Sequence, residues 1–83
     1  MTDRDPLLQE REKTHGSFQQ NAEIQQKLLG ILKDYKLQDF IPTQRTAMEL
    51  ICLKIARAMS NPRYKDNWDD IVGYAKLGSE ACD

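Results

Sequence analysis

The sequence contains few of the residues that metal sites and nucleophilic active sites require. Its 83 residues include one histidine, His15, and two cysteines, Cys52 and Cys82, which form no CxxC pair. Zinc sites usually combine several cysteine and histidine ligands, and a catalytic serine or cysteine needs a histidine base. His15 has no cysteine or acidic partner at ligand spacing. The sequence therefore predicts no catalytic nucleophile and no bound cofactor.

Long apolar runs and an excess of one charge are also absent. No stretch approaches the ~20 apolar residues that cross a bilayer, and "MTDRDPLLQEREK" has no apolar segment typical of a signal peptide. Twelve basic and thirteen acidic residues give a net charge of −1, which does not attract nucleic acid or an acidic membrane surface. We therefore expect a soluble cytoplasmic protein, with no nucleic-acid or membrane partner.

No segment alternates with the period of two that is typical of a strand, so the predicted class is all-α. The pattern predicts a small helical bundle of three main helices behind a short N-terminal helical arm. Residues 1–16 form the arm and residues 17–83 a single helical domain. Asp5-Pro6 is expected to open the arm helix, Gly16 to end it and Ser17 to cap the next helix. The main helices are predicted at residues 18–35, 43–60 and 67–81, with Thr43 as the second N-cap.

The second main helix is predicted to be the central core helix. Its apolar residues at helical spacing cover one broad arc: Ala47, Met48, Ile51, Cys52, Ile55, Ala58 and Met59. In the first and third helices, similar stripes include Phe18, Tyr35 and Val72, and the core is expected to contain Phe40, Ile41 and Trp68. Leu50 and Leu53 lie among charges on the opposite face. Because a chain this short is marginal as a monomer, these two leucines predict an interface of a homo-oligomer.

Three aspartates surround the single tryptophan in "YKDNWDDIVGYAKL", residues 64–77. They are explained most simply by the start of a helix. Asp66 or Asn67 would be the N-cap, and Asp69 and Asp70 would lie in the first turn, where the helix dipole favours negative charge. Asp69 and Asp70 would then face solvent or the basic side of the second helix.

The same carboxylates also allow a metal site. Asp69 and Asp70 come three and four positions after Asp66, so each of them shares a helix face with Asp66. Such pairs can hold Mg²⁺ against a diphosphate. Glu49 is the one acidic residue that the second helix offers near its middle, so a complete site would need another subunit.

Basic residues on the second helix have two interpretations. Lys54 and Arg57 are three residues apart and could form an anion cradle for a nucleotide phosphate. Tyr74 would lie beside it, next to a close helix approach at Gly73 and Gly78. Alternatively, Lys54 and Arg57 form a solvated face or salt bridges to Asp69 or Asp70 across the helix pair.

Two stretches, "HGSFQQNAEI" and "AMELICLKIARAMSNPRYKDNWDDIVGYAKLGSE", resemble a small helical domain of unknown function that is common in bacteriophages and prophages. The resemblance covers roughly residues 11–80. The closing helix is more distantly similar to the last helix of all-α nucleotide pyrophosphohydrolases of the MazG type. That resemblance implies acidic pairs holding Mg²⁺ against a nucleoside triphosphate, with Asp66 and Asp69 as the second pair. Glu49 alone is present where the first pair would be.

Three functional hypotheses follow. The leading one is a non-catalytic phage or prophage accessory protein that binds a protein or nucleotide partner, with a host or phage protein as the candidate partner. The second is a Mg²⁺-dependent nucleotide pyrophosphohydrolase assembled across subunits. The third is a counter-defence protein that inhibits a host enzyme.

Overall fold

The computed structural model describes residues 5–15, 17–35 and 37–82, with the backbone alone for residues 11–15 and Leu37. Over these residues it contains four α-helices, one 3₁₀ turn and no strand, which confirms the all-α class. The helices are α1 (Pro6–His15), α2 (Phe18–Asp34), α3 (Pro42–Ser60) and α4 (Lys65–Glu80), and the 3₁₀ turn is Leu37–Asp39. None of the described helices combines the length and apolarity that crossing a bilayer requires.

The first two helices begin as the sequence predicts. The backbone N–H of Leu7 donates to Asp5 Oδ1 at 2.8 Å, and Pro6 follows at the first helical position. Ser17 caps α2, since its Oγ accepts from the backbone N–H of Gln20 at 3.4 Å. Both side chains satisfy backbone donors that have no partner within the helix. Gly16, the predicted end of the arm helix, lies outside the described residues.

Helix α3 begins one residue earlier than predicted. Its N-cap is Ile41, which makes no side-chain capping bond, and Pro42 occupies the first turn. Thr43 is therefore not the N-cap. Proline suits this position because its fixed φ is helical and it lacks the N–H that would be unpaired there. The helix ends at Ser60, directly before the predicted stop at Asn61-Pro62.

Helix α3 lies at the centre of the bundle, and it packs against both α2 and α4, which hardly touch each other. Lys54 meets Asp70 of α4 at 2.8 Å, whereas Ser60 Oγ donates to Asn21 Oδ1 of α2 at 2.5 Å. Six residues separate Lys54 from Ser60, which places them about 120° apart around α3. The three helices thus form a thin layer, and the shortest dimension of the molecule is 18 Å.

The fully buried apolar residues described by the structure are small and all belong to α3: Ala47, Cys52, Ala56 and Ala58. This confirms α3 as the core helix, although Ala56 was not part of the predicted arc. Small side chains allow the helices to approach closely. A Cβ atom at Gly78 of α4 would lie 3.7 Å from the Cβ of Ala47, whereas Gly73 has open space around it. The predicted close approach therefore holds for Gly78 and is wrong for Gly73.

Several large apolar residues that the sequence assigns to the core are exposed. They are Phe18, Tyr35, Ile41, Met59, Trp68 and Val72. The physical reason is the thin layer, in which α3 has α2 on one side and α4 on the other, while α1 makes little contact with it. Side chains directed at the open faces stay in water even where their helical spacing is typical of a core.

Candidate functional site

The charged residues of α3 and α4 meet in one pair. Lys54 Nζ lies 2.8 Å from Asp70 Oδ2, and the Lys54 side chain is nearly buried while that of Asp70 is half exposed. The helices run antiparallel through a short turn, which brings the middle of α3 against the first turns of α4. The salt bridge that the sequence offered as one interpretation of Lys54 is confirmed, with Asp70 as the acceptor.

The other two aspartates have separate partners. Asp69 accepts from Lys65 Nζ at 2.7 Å, one turn earlier on α4. A side-chain hydrogen bond to Asp66 is the main cause that raises the pKa of the Tyr64 phenol, and the Asp66 charge adds to it. The hydrogen bond and charge of Asp69 likewise raise the pKa of the Lys65 ammonium. Each carboxylate is therefore directed to a different cation or hydroxyl.

The start of α4 differs from the prediction. Tyr64 is the N-cap and makes no side-chain capping bond, so neither Asp66 nor Asn67 caps the helix. The helix begins at Lys65, two residues earlier than predicted, which places Asp66 in the first turn. The dipole still favours a negative charge there. Asn67 then points at the neighbouring helix and is fully buried.

The buried amide of Asn67 is unusual. Among the described residues, neither its Oδ1 nor its Nδ2 has a hydrogen-bond partner. An unpaired buried polar atom is costly because it has lost its bonds to water. The other buried asparagine, Asn21, is bonded to Ser60. An asparagine near a helix start can be a capping residue or a buried residue, and the sequence alone does not distinguish the two roles. The burial of Asn67 could therefore not be predicted.

The remaining predicted ligands are not brought together in one chain. Glu49 and Lys54 are five residues apart, about 140° around α3, and Lys54 faces the acidic helix. The charge of Glu49 contributes instead to the raised pKa of the Cys52 thiol, for which burial is the larger cause. No three histidine, cysteine, aspartate or glutamate side chains converge in the described part of the chain. A metal site shared between subunits stays a prediction.

The three residues of the predicted anion cradle, Lys54, Arg57 and Tyr74, have different surroundings. Lys54 is engaged by Asp70. Arg57 lies three residues further along α3 and is half-buried, and Tyr74 is half-buried one turn after Asp70. Nucleotide binding by these residues stays a prediction.

An apolar groove runs between α3 and α4 on one face of the layer. Its lower hollow measures about 300 Å³ and is lined by Ile55, Ala58, Met59, Pro62, Trp68 and Ile71. The Trp68 indole Nε1–H donates to the Pro62 carbonyl at 2.8 Å. This bond holds the ring against the turn that joins the two helices. Trp68 remains 53% exposed and Met59 66% exposed.

The upper hollow of the same groove measures about 360 Å³. It is lined by Phe40, Gln44, Ala47, Met48, Ile51, Tyr74, Ala75 and Gly78. Ile51 and Ile55 are four residues apart, as are Ile71 and Ala75, so the two hollows follow one another along the same face. We call the two hollows together the apolar groove. None of the side chains that line it is charged.

The opposite face carries a third hollow of about 390 Å³, lined by Pro42, Thr43, Thr46, Ala47, Leu50, Tyr74 and Leu77. Thr46 and Met48 point about 160° apart on α3, which places this hollow across the layer from the groove. Leu50 and Leu53 are both half-buried. The interface predicted from them stays a prediction.

These features define a small all-α protein with an apolar groove between two antiparallel helices. The chain belongs to a family described as a domain of unknown function (DUF6378), whose model matches residues 3–82. No curated protein and no solved structure gives a significant match to the chain. The family description assigns no activity, so the function has to be argued from the surface itself.

Proposed function

We propose that this protein acts by binding another protein through the apolar groove, without catalysis, as an accessory protein of a bacteriophage or prophage. The observation that carries the proposal is the position of Trp68. Its ring is half exposed at the edge of the groove and is already oriented by the hydrogen bond to Pro62. The bacteriophage setting and the host cytoplasm rest on the sequence resemblance.

The composition of the groove supports a protein partner. Aromatic residues and methionine are enriched at the centres of protein interfaces, and charged residues are depleted there. Tryptophan is among the residues that contribute most binding energy. Because the Trp68 ring is held in place before binding, little of its conformational freedom remains to be lost. The groove therefore has the properties of a preformed interface.

The charged residues support binding rather than hydrolysis. Asp66, Asp69 and Asp70 engage Tyr64, Lys65 and Lys54 respectively. A Mg²⁺ site needs carboxylates whose oxygens converge on one point. Three carboxylates with three separate partners stabilise α4 and its packing on α3 instead.

The proposal is tested by affinity purification of the tagged chain from bacterial cells, followed by quantitative mass spectrometry. Met59→Glu introduces a charge at the edge of the groove. Leu77→Glu is the control, because Leu77 is 53% exposed on α4 and lines the third hollow on the opposite face. We expect proteins that co-purify equally with the wild type and Leu77→Glu, and that fall at least tenfold with Met59→Glu.

Equal recovery with Met59→Glu would contradict the groove as the binding surface. The enzyme alternative is tested separately with Mg²⁺ and a set of deoxynucleoside triphosphates. We expect no release of pyrophosphate. Turnover by the wild type that is lost in Asp69→Ala would replace the proposal by the pyrophosphohydrolase.

A further inference from the structure

We infer that the partner in the apolar groove is a second copy of this chain, so that two α3–α4 hairpins pack face to face. The inference rests on the proposed function, since it uses the same groove. It also goes further, because it names the occupant. The exposed surface area, the arrangement of the helices and the uncharged lining of the groove support it.

The exposed surface of the chain is too large for a compact monomer. A folded monomer of this mass exposes about 5100 Å², whereas this chain exposes 6540 Å². The excess of roughly 1400 Å² exceeds the ~800 Å² that each partner buries in a standard interface. The radius of gyration of 14.8 Å is likewise larger than the ~12 Å of a compact domain of this length. One chain thus has enough uncovered area for a standard interface, although part of the excess belongs to α1, whose residues 6–10 are all exposed.

The arrangement of the helices shows where a second layer would pack. Stable domains pack at least two layers of secondary structure around a common core. Here α3 packs against α2 on one side and α4 on the other, and α2 and α4 hardly touch each other. Met59 and Trp68 on the groove face stay exposed, so a second chain can supply the layer that covers them. A two-fold pairing of α3–α4 hairpins supplies it and produces a four-helix core lined by both grooves.

The charge of the groove suits a second copy. In a two-fold interface each patch meets itself, so a charged residue near the axis would face its own like charge. The lining of both hollows is uncharged. The third hollow is also lined by uncharged residues, but the Lys54–Asp70 pair lies on the side of α4 that carries Leu77. The groove can therefore meet its own copy without charge repulsion.

The test measures association of the purified full chain by sedimentation velocity between about 1 mM and about 1 μM, a range that covers weak to moderately tight binding. Trp68 is the single tryptophan, so its fluorescence reports burial of the groove directly. Three exposed positions receive glutamate: Met59 in the groove, Val72 outside the hollows, and Leu77 beside Leu50 in the third hollow. Circular dichroism establishes that each variant is folded.

We expect the wild type to dimerise, with Trp68 emission shifting to shorter wavelength as the dimer forms. Met59→Glu should remain helical and raise the dissociation constant at least tenfold. Leu77→Glu, on the opposite face, should change it less than threefold. Val72 lies one turn after Trp68 on the same side of α4, so Val72→Glu should weaken the dimer as well. A dimer that is broken by Leu77→Glu and not by Met59→Glu would overturn the inference in favour of the Leu50 face.

A wild type that is monomeric throughout the range also overturns the inference. The dye 1-anilinonaphthalene-8-sulfonate then separates this result from the proposed function. Dye binding to the monomer that is lost in Met59→Glu and retained in Leu77→Glu leaves the groove as a surface for a different protein. Dye binding that is equal in all variants contradicts both the second copy and the groove.

Discussion

Lys54 and Asp70, which the sequence suggests as parts of two different ligand sites, are bound to each other. Their Nζ and Oδ2 atoms lie 2.8 Å apart, with side-chain exposures of 12% and 44%. Removing one partner of such a pair leaves the other charge in a partly buried position without its counter-ion, which is costly. The pair thus links the centre of α3 to the first turns of α4.

A double-mutant cycle of Lys54→Met and Asp70→Asn measures this link. We expect a coupling free energy of roughly 0.5–1 kcal/mol in urea unfolding, because Asp70 remains partly solvated. The exposed pair Lys65–Asp69 lies within one helix and serves as the control, with a smaller coupling. Equal coupling in the two cycles would mean that Lys54–Asp70 contributes no more than a surface pair. All stability measurements use one protein concentration, because dimerisation would otherwise change the apparent stability.

The two buried asparagines should respond in opposite ways to the same substitution. Asn67 is fully buried and, among the described residues, has no partner for either side-chain polar atom, whereas Asn21 accepts from Ser60. Leucine has a similar branched shape. We expect Asn67→Leu to raise the free energy of unfolding by about 1–2 kcal/mol, since it removes an unpaired amide. Asn21→Leu should lower it by about 1–3 kcal/mol, since it leaves Ser60 unpaired.

Urea midpoints at constant m-value would show both effects. Destabilisation by Asn67→Leu equal to that of Asn21→Leu would indicate that the Asn67 amide is hydrogen-bonded in solution.

Helix positions could be predicted from the sequence because their signals are local. Asp5-Pro6 and Ser17 act on backbone groups within three residues, and Asn61-Pro62 ends α3 where expected. The errors at Thr43 and at the start of α4 are shifts of one or two residues. The N-caps of α3 and α4, Ile41 and Tyr64, make no side-chain capping bond. Neither helix start is therefore marked by a capping side chain in the sequence.

The burial of particular residues could not be predicted in the same way. Spacing shows which residues share a face, and it does not show whether another element covers that face. Met59 and Trp68 have the spacing of core residues and lie on the open groove, while Ala56 lies outside the arc and is fully buried. The sequence left open whether Lys54 pairs with Asp69, with Asp70 or with a ligand. The choice depends on the register of α3 against α4. Helical spacing alone does not fix this register.

Gly73 should be replaceable with a gain in stability. It lies within α4, and a Cβ atom added there would have nothing within 4 Å beyond the helix itself. Alanine restricts the unfolded chain and favours the helix, so we expect Gly73→Ala to raise the free energy of unfolding by about 0.5–1 kcal/mol. Gly78→Ala, whose Cβ would touch Ala47 at 3.7 Å, is the comparison and should gain less. A loss of stability in Gly73→Ala would show that another chain packs against this position.

Stability should fall on the alkaline side, beginning with Cys52. Burial raises the pKa of its thiol above the ordinary value of 9.0. The folded state therefore binds the proton more tightly than the unfolded state. The stabilisation that the protonated Cys52 thiol contributes is fully present below the unfolded pKa of 9.0. It is lost as the pH rises through the pKa of the folded thiol. The pKa values of Tyr64 and Lys65 are raised above 10.0 and 10.5. Deprotonation of these two groups therefore also lowers the stability of the folded state, at higher pH than Cys52 does.

Urea midpoints between pH 7 and pH 10.5 test this order. We expect a constant midpoint for the wild type up to about pH 8.5 and a decline above it, because the unfolded thiol then ionises first. Cys52→Ala should be less stable at every pH, and its decline should begin about one pH unit later. Cys82→Ala, which removes the exposed thiol, should follow the wild-type profile. If wild type and Cys52→Ala declined from the same pH, the buried thiol would not be the group that begins the loss.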